Sequence, residues 1–164
     1  MIKICLVTGS RAEYGLFQPL LDELRKEPMF RLQIAVTGMH LSAAYGLTYK
    51  EILRDGFRIN EKVRILLEDD SPEGITRAVG IGVIGFAAAF KRMKPDFVIV
   101  LGDRFETYAA AVAAFLARIP IVHLHGGELS EGAADDAIRH SITKMSLLHF
   151  TSTEAYRRRV IQLG

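Results

Sequence analysis

The sequence predicts an α/β domain built on a Rossmann-like, doubly wound and mostly parallel sheet, and three observations carry that prediction. Short apolar runs (Ile2 to Val7, Phe97 to Leu101, Ile119 to Leu124) lack the polar alternation of a half-wet sheet, so their strands are buried on both faces. Segments with helical spacing lie between them, and strands that alternate with helices join by crossovers into a parallel sheet. Polar residues collect just after the strands: Arg11, His40, Asp103 and a dense stretch from His123 to His140. In a sheet of order 3-2-1-4-5-6 that is the carboxyl edge, with the ligand crevice outside strands 1 and 4.

The elements follow in order. Ile2 to Val7 is the first strand, and Thr8 to Gly15 reads as a turn. Leu16 to Lys26 is a helix, with Leu16, Leu20, Leu21 and Leu24 on one face. Phe30 to Val36 is the second strand, and Leu47 to Leu53 a short helix that stops at Asp55-Gly56. Ile59 to Leu66 alternates as a third strand. Ser71-Pro72 opens a long helix, with serine as cap and proline at the first helical position, and Lys94-Pro95 ends it after Met93. Phe97 to Leu101 is the fourth strand, Arg104 to Ala117 an alanine-rich helix, and Ile119 to Leu124 the fifth strand. Asp135 to Ser146 is the next helix, His149 to Thr151 a sixth strand, and Thr153 to Leu163 a terminal helix.

Composition narrows the function. A chain of 164 residues is one domain on size, spanning 1–164. Lys and Arg number 21 against 19 Asp and Glu, a net charge of +2 that argues for no nucleic-acid partner. The basic run Arg157-Arg158-Arg159 reads as a solvated helix face. Cys5, alone on an apolar strand, excludes a disulfide framework within the chain and reads as a small buried hydrophobe in a reducing compartment. The chain begins directly on a strand, which reads as no signal peptide, and Ile75 to Phe90 is broken by Arg77 and glycines, which reads as no membrane span. The expectation is a cytoplasmic protein without a membrane partner.

The literal G-x-G-x-x-G at Gly80, Gly82 and Gly85 falls inside the long helix, so it fails as a dinucleotide fingerprint and reads as close helix packing. The turn after the first strand, Thr8-Gly9-Ser10-Arg11, carries neither that fingerprint nor a P-loop. It leaves a glycine turn and an arginine at a helix start, a place for an anion such as a diphosphate or simply a tight turn. Asp103 closes a central strand, where an aspartate either caps the next helix or enters the crevice as a proton-transfer group. His40, His123, His125, His140 and His149 have no metal-ligand spacing on a helix, so proton transfer or sugar contacts suit them better than zinc, and His149 reads as a core or edge residue. The stretch Val122 to His140 packs three histidines, two glutamates, two aspartates, an arginine and three glycines into one loop and a helix start. Loops at strand ends are where sites are built.

With these residues assembled, the chain resembles the N-terminal half of a hydrolysing UDP-N-acetylglucosamine 2-epimerase of the kind that serves sialic and legionaminic acid synthesis. The resemblance rests on Val7 to Gly15, Val36 to Ser42, Gly102-Asp103-Arg104, and Gly126-Gly127-Glu128 through Asp135-Asp136 to Arg139-His140. It implies one half of a two-domain GT-B-like enzyme whose second domain binds UDP. The implied reaction removes the C2 proton as UDP leaves C1, then adds water to the glycal and returns a proton to the other face. It implies Asp103, Glu128, Asp135 and His125 as catalytic residues. Arg11, His40, Asp136, Arg139 and His140 are implied as substrate-binding, with a UDP-sugar substrate, no metal or other cofactor, and a homo-oligomer in the full-length enzyme. Where relatives carry a catalytic glutamate before the small-residue pair, this chain has His125, so the role falls to His125, Glu128 or Asp135. A non-hydrolysing epimerase, a UDP-diacetylbacillosamine 2-epimerase and a non-catalytic nucleotide-sugar-binding domain are the alternatives.

Overall fold

The structure, a computed structural model, describes residues 1–65, 69–130 and 134–164. Six strands form one parallel sheet in the order β3-β2-β1-β4-β5-β6. They are β1 (Ile2–Thr8), β2 (Phe30–Val36), β3 (Glu61–Lys62), β4 (Phe97–Leu101), β5 (Ile121–Leu124) and β6 (Leu148–Phe150). The helices are α1 (Arg11–Lys26), α2 (Tyr49–Arg54), α3 (Pro72–Met93), α4 (Phe105–Leu116), α5 (Asp135–Met145) and α6 (Glu154–Gln162). The doubly wound order expected from the sequence is the order observed.

Alternation along each buried strand splits the core in two. Cys5, Val7, Val98, Val100 and Ile121 face one side and pack with Phe86, Ala89 and Phe90 of α3, the alanines of α4, and Ile142 of α5. Ile4, Leu6, Ile99, Leu101 and Val122 face the other, with Tyr14, Phe17 and Leu21 of α1 and Ile52 of α2. Because α1 and α2 follow β1 and β2, their cover lies over that half of the sheet. Beside α1, an apolar groove of about 520 Å³ remains open across Ile99, Val122, Leu124, Leu148 and Phe150.

Several elements differ from expectation. α1 begins at Arg11 rather than Leu16, because Ser10 and Glu13 form a capping box that starts the helix immediately after β1. The third strand, expected over Ile59 to Leu66, is paired only at Glu61 and Lys62, while Leu66 lies outside the described residues. Its preceding ladder position is occupied by a side chain: Ile34 N–H donates to Asn60 Oδ1 at 3.0 Å. α2 starts two residues late, at Tyr49, after Leu47 turns with φ of 51°. The glycines of α3 do serve packing: a Cβ at Gly82 would stand 2.8 Å from Ala109 Cβ, and one at Gly85 2.7 Å from Val63. α3 is long and apolar enough by composition alone to cross a bilayer, yet its Phe86, Ala89 and Phe90 are buried against the sheet.

Candidate active site

The carboxyl ends of β4 and β5 and the start of α5 meet around one guanidinium. Arg139, on the second turn of α5, is 4% exposed. Its Nη2 donates to Asp103 Oδ2 and to Ser130 Oγ, and its Nη1 donates to the Glu128 carbonyl and reaches Asp136 Oδ1 at 3.4 Å. Ser130 Oγ donates to the same Asp103 oxygen at 3.3 Å. The N-cap of α4 is Arg104, without a side-chain cap bond, so Asp103 does not serve as a helix cap. Burial pushes the Asp103 carboxyl above the usual range against the pull of Arg139, and the nearby charge of Asp135 pushes the same way. A carboxylate so placed is suited to proton transfer.

Beside it stands a second ionisable pair, His125 and Glu128. His125 follows β5 with φ of 63°, in the left-handed region that non-glycine residues rarely adopt. Its backbone N–H donates to Phe150 O at 2.9 Å, and its Nδ1 donates to Glu128 Oε1 at 2.7 Å. Ser152 Oγ donates to the same oxygen at 2.6 Å. Burial alone would raise the Glu128 carboxyl, but the Ser152 and His125 hydrogen bonds outweigh it and hold the group below its ordinary value. Glu128 is thus an ionised acceptor that orients the imidazole.

The histidine two residues earlier does something else. His123 is fully buried, with Nε2 at 2.8 Å from the Gly102 carbonyl and Nδ1 at 3.2 Å from Thr143 Oγ1. It is therefore closed to a sugar, contrary to the expectation that the histidines serve proton transfer or sugar contacts. The glycine pair that follows has two packing reasons. A Cβ at Gly126 would crowd both His123 Nδ1 and Thr143 Oγ1 at 3.2 Å, and one at Gly127 would lie 2.4 Å from the Tyr156 carbonyl of α6.

At the N-terminus of α5, Asp135 is exposed and Asp136 faces two guanidinium groups, Arg139 and Arg159 (Nη2 at 3.4 Å), and His140 Nε2 at 3.7 Å. The dipole favours both acids there. Glu131, Gly132 and Ala133, part of the motif-rich stretch, lie outside the described residues. His149 stands exposed on β6, and what desolvation it has pushes its pKa down.

Arg11 and His40 stand at the ends of β1 and β2, and no hydrogen bond among the described residues ties them to the Arg139 group. Arg11 is exposed and paired with Glu51 at 3.2 Å. His40 is fully buried, its Nε2 3.1 Å from Thr8 Oγ1 and its Nδ1 2.8 Å from Thr48 Oγ1, and burial lowers its pKa to about 4. The turn that offered an anion site already holds a carboxylate of its own. Glu13 Oε2 accepts from Gly9 N–H at 2.6 Å and Ser10 N–H at 3.3 Å. Arg104 then bridges toward Glu13 at 3.8 Å and pairs with fully buried Glu106 at 2.7 Å. Sequence reasoning passed over Glu13, although Ser10-x-x-Glu13 is a visible capping-box signature. Ser130, Ser152 and Thr143 carried no local signal. Among the described residues, no group of three or more His, Cys, Asp or Glu side chains is arranged to hold a metal ion.

Comparison with known proteins agrees with this fold. The sequence family described as UDP-N-acetylglucosamine 2-epimerase matches residues 22–164. The chain is 48% identical over 162 residues to a GDP/UDP-N,N′-diacetylbacillosamine 2-epimerase (hydrolyzing) of Campylobacter jejuni, covering 99% of this chain and 42% of that protein. It is 45% identical over 162 residues to a UDP-N,N′-diacetylbacillosamine 2-epimerase (hydrolyzing) of Legionella pneumophila, covering 99% and 43%. The crystal structure of UDP-GlcNAc 2-epimerase from Neisseria meningitidis bound to UDP-GlcNAc shares the fold, with a TM-score of 0.86 at 22% identity over 98% of this chain and 43% of that one. The chain thus spans less than half the length of the relatives it matches.

Proposed function

The chain belongs to the UDP-N-acetylglucosamine 2-epimerase family, and from that premise we propose that it forms the sugar-handling wall of a hydrolysing UDP-sugar 2-epimerase. The observation that carries this reading is the pairing of two proton-handling units around Arg139, which bonds both Asp103 and the Glu128 carbonyl. Asp103 is held by Arg139 and Ser130, and His125 is oriented by Glu128. Epimerisation at C2 needs one group to take a proton from one face and another to return a proton to the opposite face.

In this proposal Asp103 takes the C2 proton while the C1–O bond breaks and its electron pair leaves with UDP. The C1=C2 glycal then gains water oxygen at C1 and a proton at C2, delivered from the other side by the His125–Glu128 pair. The sum is UDP-sugar plus water giving UDP and the free C2 epimer. Asp135, whose charge reaches Asp103, and Asp136, beside His140, are assigned to the entrance at the start of α5, with buried Arg139 holding Asp136 from within. Arg11 is the exposed cation nearest the crevice end of β1 and is assigned to the leaving diphosphate. His40, closed off by Thr8 and Thr48, supports the Arg11 turn from beneath rather than touching substrate. The uridine is bound by a second domain of the longer protein.

The identity of the sugar has a second reading. Relatives named for N,N′-diacetylbacillosamine are 45–48% identical, which favours a 2,4-diacetamido sugar over N-acetylglucosamine. Incubating the full-length protein with each UDP-sugar, with the products followed by NMR, tests both points. Free UDP with free epimerised sugar supports the proposal. An epimerised sugar still linked to UDP would make the enzyme non-hydrolysing, and binding without turnover would make it a sensor.

A further inference from the structure

Among the described residues, His123 bonds the neighbours of both partners in the Asp103–Arg139 pair: Gly102, which precedes Asp103, and Thr143, which follows Arg139 on α5. It leaves β5 on the face packed by α5, beside Val100 of β4 in the sheet register. Gly102, immediately before Asp103, turns with φ of 73° and gives its carbonyl to His123 Nε2 at 2.8 Å. Thr143, one helical turn after Arg139 on α5, meets His123 Nδ1 at 3.2 Å. Residues four apart share a helix face, so Thr143 and Arg139 present to the same side of α5. His123 is 0% and Thr143 4% exposed, so water does not compete for either bond.

Burial lowers the His123 pKa to about 4 and leaves the ring neutral, with one donor and one acceptor. A carbonyl only accepts, so Nε2 carries the proton and donates to Gly102 O, and Nδ1 accepts from the Thr143 hydroxyl. Both bonds are then fixed in direction. Gly126 lacks a side chain where one would crowd the second bond.

We propose that His123 is a positioning residue: its two ring nitrogens lock the loop carrying Asp103 to the helix carrying Arg139 and so set the register of that pair. The inference rests on the reading of Asp103 as the proton-handling group, but its geometric content can be tested apart from activity. Positioning errors near 1 Å can lower turnover by about 10²-fold.

The test uses two variants of the full-length protein that each keep one half of the clamp. His123→Gln places an amide near Nε2 and can still donate to Gly102 O. His123→Asn reaches only the Nδ1 position and keeps the Thr143 side. Crystal structures should show the Asp103–Arg139 contact retained in His123→Gln and displaced in His123→Asn. Thermal midpoints should fall by similar amounts in both. Turnover should drop at least 30-fold in His123→Asn and less than about 5-fold in His123→Gln, with KM within about threefold. Equal structures and equal turnover losses that merely track the loss of stability would overturn the proposal. Asp103→Asn, assayed alongside, separates the two claims. If it turns over normally while the His123 structures behave as expected, the positioning stands and the catalytic reading of Asp103 falls.

Discussion

His125 Nδ1 and Glu128 Oε1 are 2.7 Å apart, joined across a turn in which the histidine backbone is held in the left-handed region. That one contact brings together two residues the sequence offered as alternatives for the same role. Groups acting as a unit lose their function together. His125→Gln and Glu128→Gln in the full-length enzyme should each lower kcat by about 10²–10⁴-fold. The double variant should lose little more than the worse single. Steady-state kinetics decides it, and losses that multiply would give the two residues separate tasks.

Asp103→Asn preserves size and hydrogen bonding to Arg139 while removing the titrating carboxyl. Turnover should fall by about 10²–10⁴-fold, with substrate affinity little changed. Carried out in D₂O, the wild-type reaction should place deuterium at C2 of the product, and the variant should incorporate it at the same reduced rate. Near-normal turnover would leave Asp103 a structural partner of Arg139 and nothing more.

Glu13 sets an alkaline limit on stability. Burial raises its carboxyl from 4.5 to about 7, against the Gly9 N–H and Arg104. A raised acid contributes stability below its unfolded pKa that is lost as pH climbs through the folded one, here between about 4.5 and 7. The shift corresponds to about 3 kcal/mol as an order of magnitude. Glu13→Gln should therefore become more stable relative to wild type at pH 8 than at pH 5 in urea unfolding. A pH-independent difference would show that the carboxylate is fully compensated by Arg104.

His40 and His123 act on the acid side. Both are lowered from 6.5 to about 4 by burial. A lowered histidine contributes stability above its unfolded pKa that is lost as pH falls through the folded one, between about 6.5 and 4. Each is worth about 3 kcal/mol by the same conversion. Their ring proton resonances should stay flat from pH 8 to pH 5. Titration of either ring near 6.5 would mean that water reaches it.

A polypeptide of these 164 residues should fold, since each face of the sheet has a core of its own. It should release no detectable UDP from a UDP-sugar. Contacts to remote parts of a substrate normally offset the cost of positioning its reacting centre, and on the proposed reading the uridine is held elsewhere. Turnover at the rate of the full-length enzyme would place all the chemistry within this chain.

The sequence alone determined the sheet, its order and the edge on which polar residues gather. Those follow from local facts: apolar runs of strand length, helical spacing between them, and right-handed crossovers that leave few topologies. Ser10-x-x-Glu13 was equally local, and α1 starts where that signature says rather than at the first leucine of the stripe. Tertiary structure alone decided which polar residue does what. By strand alternation His123 and His125 belong to one side of β5, yet the left-handed backbone at His125 carries the second ring to Glu128 and the crevice, while the first is sealed beneath Gly102 and Thr143. Arg139 is likewise, by the sequence resemblance, a substrate-binding residue, whereas the structure buries it against protein partners. It becomes the centre of the candidate site because burial shields it from solvent, and Asp103 after β4, with Ser130 and the Glu128 carbonyl after β5, supply its partners.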